Sequence, residues 1–125
     1  MARILVVDDE LLIRDLLYDF FSSRDHQIVL AETARKALDT LKSEEVDLIL
    51  TDLKMPDLDG MEFIRQARDL SEDTPVIIMT GFPSIDSVIE ALRMKVSDYI
   101  TKPFNINRLF ETIQRVLEEK TVVAK

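Results

Sequence analysis

The sequence predicts an α/β fold, a doubly wound five-stranded parallel sheet with helices on both faces. Three observations carry this. Short apolar runs alternate with longer helical patterns along all 125 residues. Three of the five runs stay apolar without alternating with polar residues, as central parallel strands do when helices cover both faces. No proline-rich linker, low-complexity tract or internal repeat divides the chain, whose length suits one domain with a sizeable core.

Taken in order, the first strand is Arg3 to Val7, followed by a helix on which Leu12, Ile13, Leu16, Leu17, Phe20 and Phe21 recur at helical spacing. The second strand is Gln27 to Ala31, and Ala34, Ala37, Leu38 and Leu41 mark the helix after it. Asp47 to Thr51 is the third strand. Asp59 with Glu62 three residues on has the spacing of a capping box, predicting a helix that opens at Gly60 and Met61 and carries Phe63 and Ile64. Pro75 to Met79 is the fourth strand, and Ser84 is placed to cap a helix from Ile85 to Met94. Asp98 to Thr101 is the fifth. The last helix carries Ile106, Leu109, Phe110, Ile113 and Leu117 on one face. The domain is expected over residues 1–120, with 121–125 a short tail, and the second and fifth strands are the peripheral ones.

Composition narrows the function. Sixteen basic against 24 acidic side chains give a net charge of −8, which repels nucleic-acid phosphates and anionic lipid headgroups, so direct binding to either is disfavoured. There is no cysteine, hence no disulfide, thiolate metal site or thiol catalysis, as suits a reducing compartment, with the cytoplasm as the default. The longest apolar runs, such as Ile4 to Val7, fall far short of the roughly 20 residues a bilayer requires. Asp8, Asp9 and Glu10 interrupt the N-terminus before an export signal develops.

The unusual polar residues fall at strand ends. Strand one runs into Asp8 and Asp9, strand three ends at Thr51 and Asp52, strand four at Thr80 and strand five at Lys102. Open α/β sheets bind ligands beyond the carboxyl ends of their strands, and the flavodoxin-like order 2-1-3-4-5 makes strands one and three neighbours at the switch point. Asp8, Asp9 and Asp52 are then expected to converge. Taken singly, each has a plainer reading: an Asp after a strand is often a turn former, and a lysine is usually solvated. Together, three carboxylates call for positive charge, because two unit charges about 4 Å apart repel by roughly 4 kcal/mol at an effective dielectric of 20. Lys102 supplies one charge and a hard divalent cation, Mg²⁺, suits the oxygen ligands. Asp52 is the candidate nucleophile for a phosphoryl group, with Thr80 a hydrogen-bond donor to its oxygens.

Ile4-Leu5-Val6-Val7-Asp8-Asp9-Glu10, Asp47 through Pro56, Asp59-Gly60, Thr80-Gly81 and Asp98 through Phe104 resemble the segments of the receiver domain of bacterial two-component response regulators. The resemblance covers essentially the whole chain. It implies that Asp52 accepts phosphate from the phosphohistidine of a sensor histidine kinase. Asp9 and Asp52 would bind Mg²⁺, Asp8 would act partly through water, and Lys54 would lend its backbone carbonyl. It further implies that Thr80 and Lys102 grip the phosphoryl oxygens, that Tyr99 turns inward as Thr80 moves, and that Lys102-Pro103 is cis. The output would lie on the surface of helix four, strand five and helix five, acting on an output domain or downstream protein or pairing two copies. Autocatalytic phosphotransfer, without turnover of an external metabolite, follows from the same likeness.

Departures from the family pattern bear on detail. Lys95 stands where similar receivers often carry Gly, so either it bears a positive φ or the fourth helix ends differently. Lys54 and the bulky Phe82 flank the expected pocket and are suited to limiting attacking water. A haloacid-dehalogenase-type phosphatase, which shares an Asp nucleophile and Mg²⁺, is disfavoured because its second carboxylate would fall at Lys54. A flavin module is disfavoured because Asp8-Asp9-Glu10 would repel its phosphate. His26 is expected away from the acidic edge, and Met55, Met61, Met79 and Met94 to fill core gaps.

Overall fold

β1 (Arg3–Val7), β2 (Gln27–Ala31), β3 (Leu48–Thr51), β4 (Val76–Thr80) and β5 (Asp98–Thr101) pair in parallel in the order β2-β1-β3-β4-β5. The computed structural model describes residues 1–124, with side chains as far as Glu119. Between the strands run α1 (Leu11–Ser22), α2 (Ala34–Ser43), α3 (Gly60–Leu70) and α4 (Ile85–Arg93), and α5 (Ile106–Ala124) follows β5. Strands three and four each begin one residue later than expected, and β4 takes in Thr80. The boundary expected at residue 120 lies beyond the described side chains, and Lys125 is outside the described residues altogether. Among the described residues no helix is long and apolar enough to cross a membrane.

Side-chain alternation along the inner strands builds two cores. Leu5, Val7, Ile49, Val76 and Ile78 face α2, α3 and α4, meeting Ala37, Leu41, Phe63, Ile64 and Ala91. Ile4, Val6, Leu48, Leu50, Ile77 and Met79 face α1 and α5, meeting Leu17, Phe21, Leu109 and Ile113. β3 and β4 are buried throughout and β1 nearly so, whereas β2 and β5 are edges. Met61 and Met79 lie in these cores, and Met55 and Met94 pack against one of them.

The helix starts differ in kind. Ser84 caps α4 as expected, its Oγ accepting from the Ser87 N–H at 3.1 Å. The box expected at Asp59 is not made: Asp59 makes no side-chain cap, and Glu62 instead receives Arg65 and Gln66 on its own helix. A separate contact fixes the residue after Asp59. Gly60 N–H donates to the Leu53 carbonyl at 2.9 Å, and a Cβ at Gly60 would sit 2.4 Å from Leu53 Cα, so only Gly fits. α2 is capped twice, by Thr33 and by Asp57 from the loop after β3, whose carboxylate accepts from Ala34 and Arg35 N–H at 3.2 and 2.9 Å. Burial pushes the Asp57 pKa up, but these N–H bonds outweigh it and hold the carboxyl below its ordinary value.

α4 settles the question at Lys95, which carries φ of 57°. Val96 N–H reaches the Ala91 carbonyl and Lys95 N–H the Leu92 carbonyl, the paired bonds of a Schellman ending. Arg68 of α3 donates to the Lys95 carbonyl at 3.2 Å, tying this corner to its neighbour. The Lys102-Pro103 bond is cis, as expected.

Candidate functional site

Strand register creates the site. Val7 of β1 lies opposite both Ala31 and Thr51, and pairing continues one step further: Asp8 N–H donates to the Ala31 carbonyl and Asp52 N–H to the Val7 carbonyl. Asp8 and Asp52 therefore leave adjacent central strands side by side. On the far side, Lys102 N–H donates to the Thr80 carbonyl at 2.8 Å, extending β5 along β4.

The carboxylates and the ammonium meet. Lys102 Nζ donates to Asp8 Oδ2 at 2.7 Å, Asp52 Oδ2 at 2.9 Å and Glu10 Oε1 at 3.0 Å. Asp8 is wholly buried and Asp52 is 4% exposed. The other Asp52 oxygen accepts from Leu53 and Lys54 N–H at 2.6 and 3.2 Å, which fixes the carboxylate's rotation. Thr80, also fully buried, accepts the Phe82 N–H on Oγ1 at 3.1 Å and keeps its hydroxyl hydrogen to donate.

Burial opposes the charge on Lys102, but its bonds to Asp8, Asp52 and Glu10 outweigh this and raise the ammonium pKa above the ordinary lysine value. Asp8 is pushed upward: burial outweighs the bonds from Lys102 and the Glu10 N–H, and the neighbouring Asp52 charge adds to the rise. With all three carboxylates ionised, one ammonium leaves two negative charges uncompensated.

Of the three carboxylates expected to converge, Asp8 and Asp52 meet, and Glu10 joins them. Carboxylate oxygens of Asp8, Glu10 and Asp52 lie within 4.8 Å of one another, and Asp9 and Glu10 are both exposed. Asp8 Oδ1 accepts the Glu10 N–H at 2.9 Å, a tight turn that folds Asp8 inward and brings Glu10 back over the strand ends. Composition held no signal for this, since three successive acids look alike until the turn chooses among them. The donor set is all carboxylate oxygen, which fits a hard divalent cation.

Around this centre, Lys54 Nζ lies 4.3 Å from the centroid of the Phe82 ring, a cation–π contact. Tyr99, on β5, is half-buried and its hydroxyl hydrogen-bonds Ser87 Oγ of α4 at 2.7 Å. His26 lies at the opposite end of the sheet, as expected, where Nδ1 accepts the Ala2 N–H and Nε2 bonds Gln114.

The chain has similar counterparts among known proteins. The chain is 35% identical to the regulatory protein AtoC of Escherichia coli over 93% of its own length, yet spans only a quarter of AtoC. It is 33% identical to the sporulation initiation phosphotransferase F of Bacillus subtilis, covering 95% of this chain and 96% of that protein. A crystal structure of a CheY-like response regulator receiver domain protein from Methanospirillum hungatei superposes with a TM-score of 0.94 at 31% identity, covering 97% of both chains. None of these supports the phosphatase alternative, whose second carboxylate position is Lys54. The model of the response regulator receiver domain matches residues 4–114. The chain belongs to that family, the phosphorylation-dependent signalling switches of two-component systems.

Proposed function

We propose that residues 1–120 form the receiver unit and that Asp52 accepts a phosphoryl group from the phosphohistidine of a sensor histidine kinase. The supporting observation is the Lys102 ammonium bridging two buried carboxylates, Asp8 and Asp52, at 2.7 and 2.9 Å. An Asp52 oxygen bonds to phosphorus as the P–N bond of the donor breaks. The imidazole nitrogen leaves with the electron pair and takes up a proton. Lys102 and the Thr80 hydroxyl receive charge on the transferring oxygens. Asp8, Asp9 and Asp52 with the Lys54 carbonyl are the proposed holders of Mg²⁺, which when bound neutralises phosphoryl charge and orients the oxygens.

Phosphorylation changes the partners of Thr80, and Tyr99 answers from β5, where its hydroxyl already touches α4. The surface that would change is apolar: Phe82, Ile85, Val88, Ile89 and Leu92 are all exposed along the start and face of α4. That face, with β5 and α5, is the proposed contact for an output domain, a downstream protein or a second copy. The chemistry is autocatalytic transfer and hydrolysis, with no external metabolite turned over, and its proposed setting is the cytoplasm.

Phosphoramidate, a small donor with the same P–N bond, tests the acceptor. Wild-type protein with Mg²⁺ is expected to gain one phosphoryl group by intact mass, and Asp52→Asn to gain none. Equal stable labelling of both would reject Asp52.

A further inference from the structure

Glu10 has a place in the site that the expected set of residues omits. The Lys102 ammonium has three donors, and all three are spent on Asp8, Asp52 and Glu10. An incoming phosphoryl oxygen must take one of them. Asp8 is wholly buried, so releasing it would strand a charge out of water. Asp52 carries the phosphoryl group itself and is pinned beside Lys102 by the Leu53 and Lys54 N–H groups. The Glu10 side chain is 56% exposed, so it passes into solvent at little cost.

We propose that Glu10 is a positioning residue that holds Lys102 in the unphosphorylated protein and yields that donor to the phosphoryl group. Before phosphorylation it keeps the ammonium aimed between the two buried carboxylates. During binding it competes with the arriving anion, setting the ligand concentration at which the switch responds. This inference rests on Asp52 as the phosphoryl acceptor.

Beryllofluoride, a tetrahedral phosphoryl mimic, separates the two ideas when titrated at saturating Mg²⁺ and followed by amide and Lys102 ammonium NMR resonances. Binding to wild type but not to Asp52→Asn supports the acceptor; failure of wild type to bind overturns both readings. Glu10→Gln is expected to lower the half-saturating concentration about fivefold, the scale of one exposed ion pair. Glu10→Asp keeps the charge but shortens the reach, and is expected to behave like Glu10→Gln. If Glu10→Asp matches wild type, the effect is general repulsion and the proposal falls. Unchanged or weaker binding by Glu10→Gln also overturns it, weaker binding marking Glu10 as an ion ligand. The Lys102 resonance is expected to differ between wild type and Glu10→Gln when free and to coincide when both are bound. A difference that persists in the bound state would show that Glu10 never leaves.

Discussion

At the scale of single residues, the site works by placing unlike surroundings around like groups. Asp8 and Asp52 are both carboxylates at strand ends, but the first is folded inward by its own turn and the second is clamped by two backbone N–H groups and Lys102. Lys54 Nζ lies over the exposed Phe82 ring in a cation–π contact. If Phe82 limits water at the phosphoryl group, Phe82→Ala is expected to speed its loss about two- to fivefold, roughly 0.5–1 kcal/mol of barrier. The decay of phosphorylated protein in Mg²⁺ after removal of phosphoramidate measures this; an unchanged lifetime would leave Phe82 without a role in excluding water.

At the scale of elements, turn and cap geometry decide how the site is held. Gly60 against the Leu53 backbone presses the start of α3 onto the loop after β3, and Asp57 from the same loop caps α2. The loop after β3 is thus anchored to two helices. The end of α4 carries an avoidable cost, because Lys95 holds a left-handed conformation that Gly adopts freely. Lys95→Gly is expected to raise stability by about 1 kcal/mol and the midpoint of thermal unfolding by about 4 °C. Calorimetry checks it, and a lower midpoint would mean that the Lys95 side chain contributes more than its backbone costs. The capping pattern at Asp59 and Glu62 shows how a local signal can mislead: the Glu62 carboxylate is taken by Arg65 and Gln66 of its own helix.

At the scale of the whole molecule, an acidic protein collects three carboxylates at one edge of its sheet with a single ammonium between them. Repulsion there is stability given up for function, and a divalent cation would return it. Binding at 100 times the dissociation constant stabilises by about 2.7 kcal/mol. Mg²⁺ is therefore expected to raise the midpoint of thermal unfolding, a chelator to reverse the rise, and Asp52→Asn to diminish it. A midpoint independent of Mg²⁺ in wild type would argue against a metal at this edge. The apolar face of α4 is exposed on the same molecule, and Tyr99 of β5 is bonded to α4 through Ser87.

Periodicity in the sequence determined the strands and the helices, because alternation of two and recurrence near 3.6 are properties of the chain itself, but it did not fix burial: of the residues expected on the apolar face of α1, Leu17 and Phe21 are buried while Leu12 and Leu16 are exposed. Strand-end position likewise singled out Asp8, Asp52, Thr80 and Lys102, since in a parallel α/β sheet those ends share one edge. Only the tertiary structure chose Glu10 over Asp9 to face Lys102, brought Asp57 to α2, laid Lys54 on Phe82 and left the Asp59 cap unmade. These outcomes depend on the direction of a turn or the approach of two distant backbones, and neither is written in residue type or spacing.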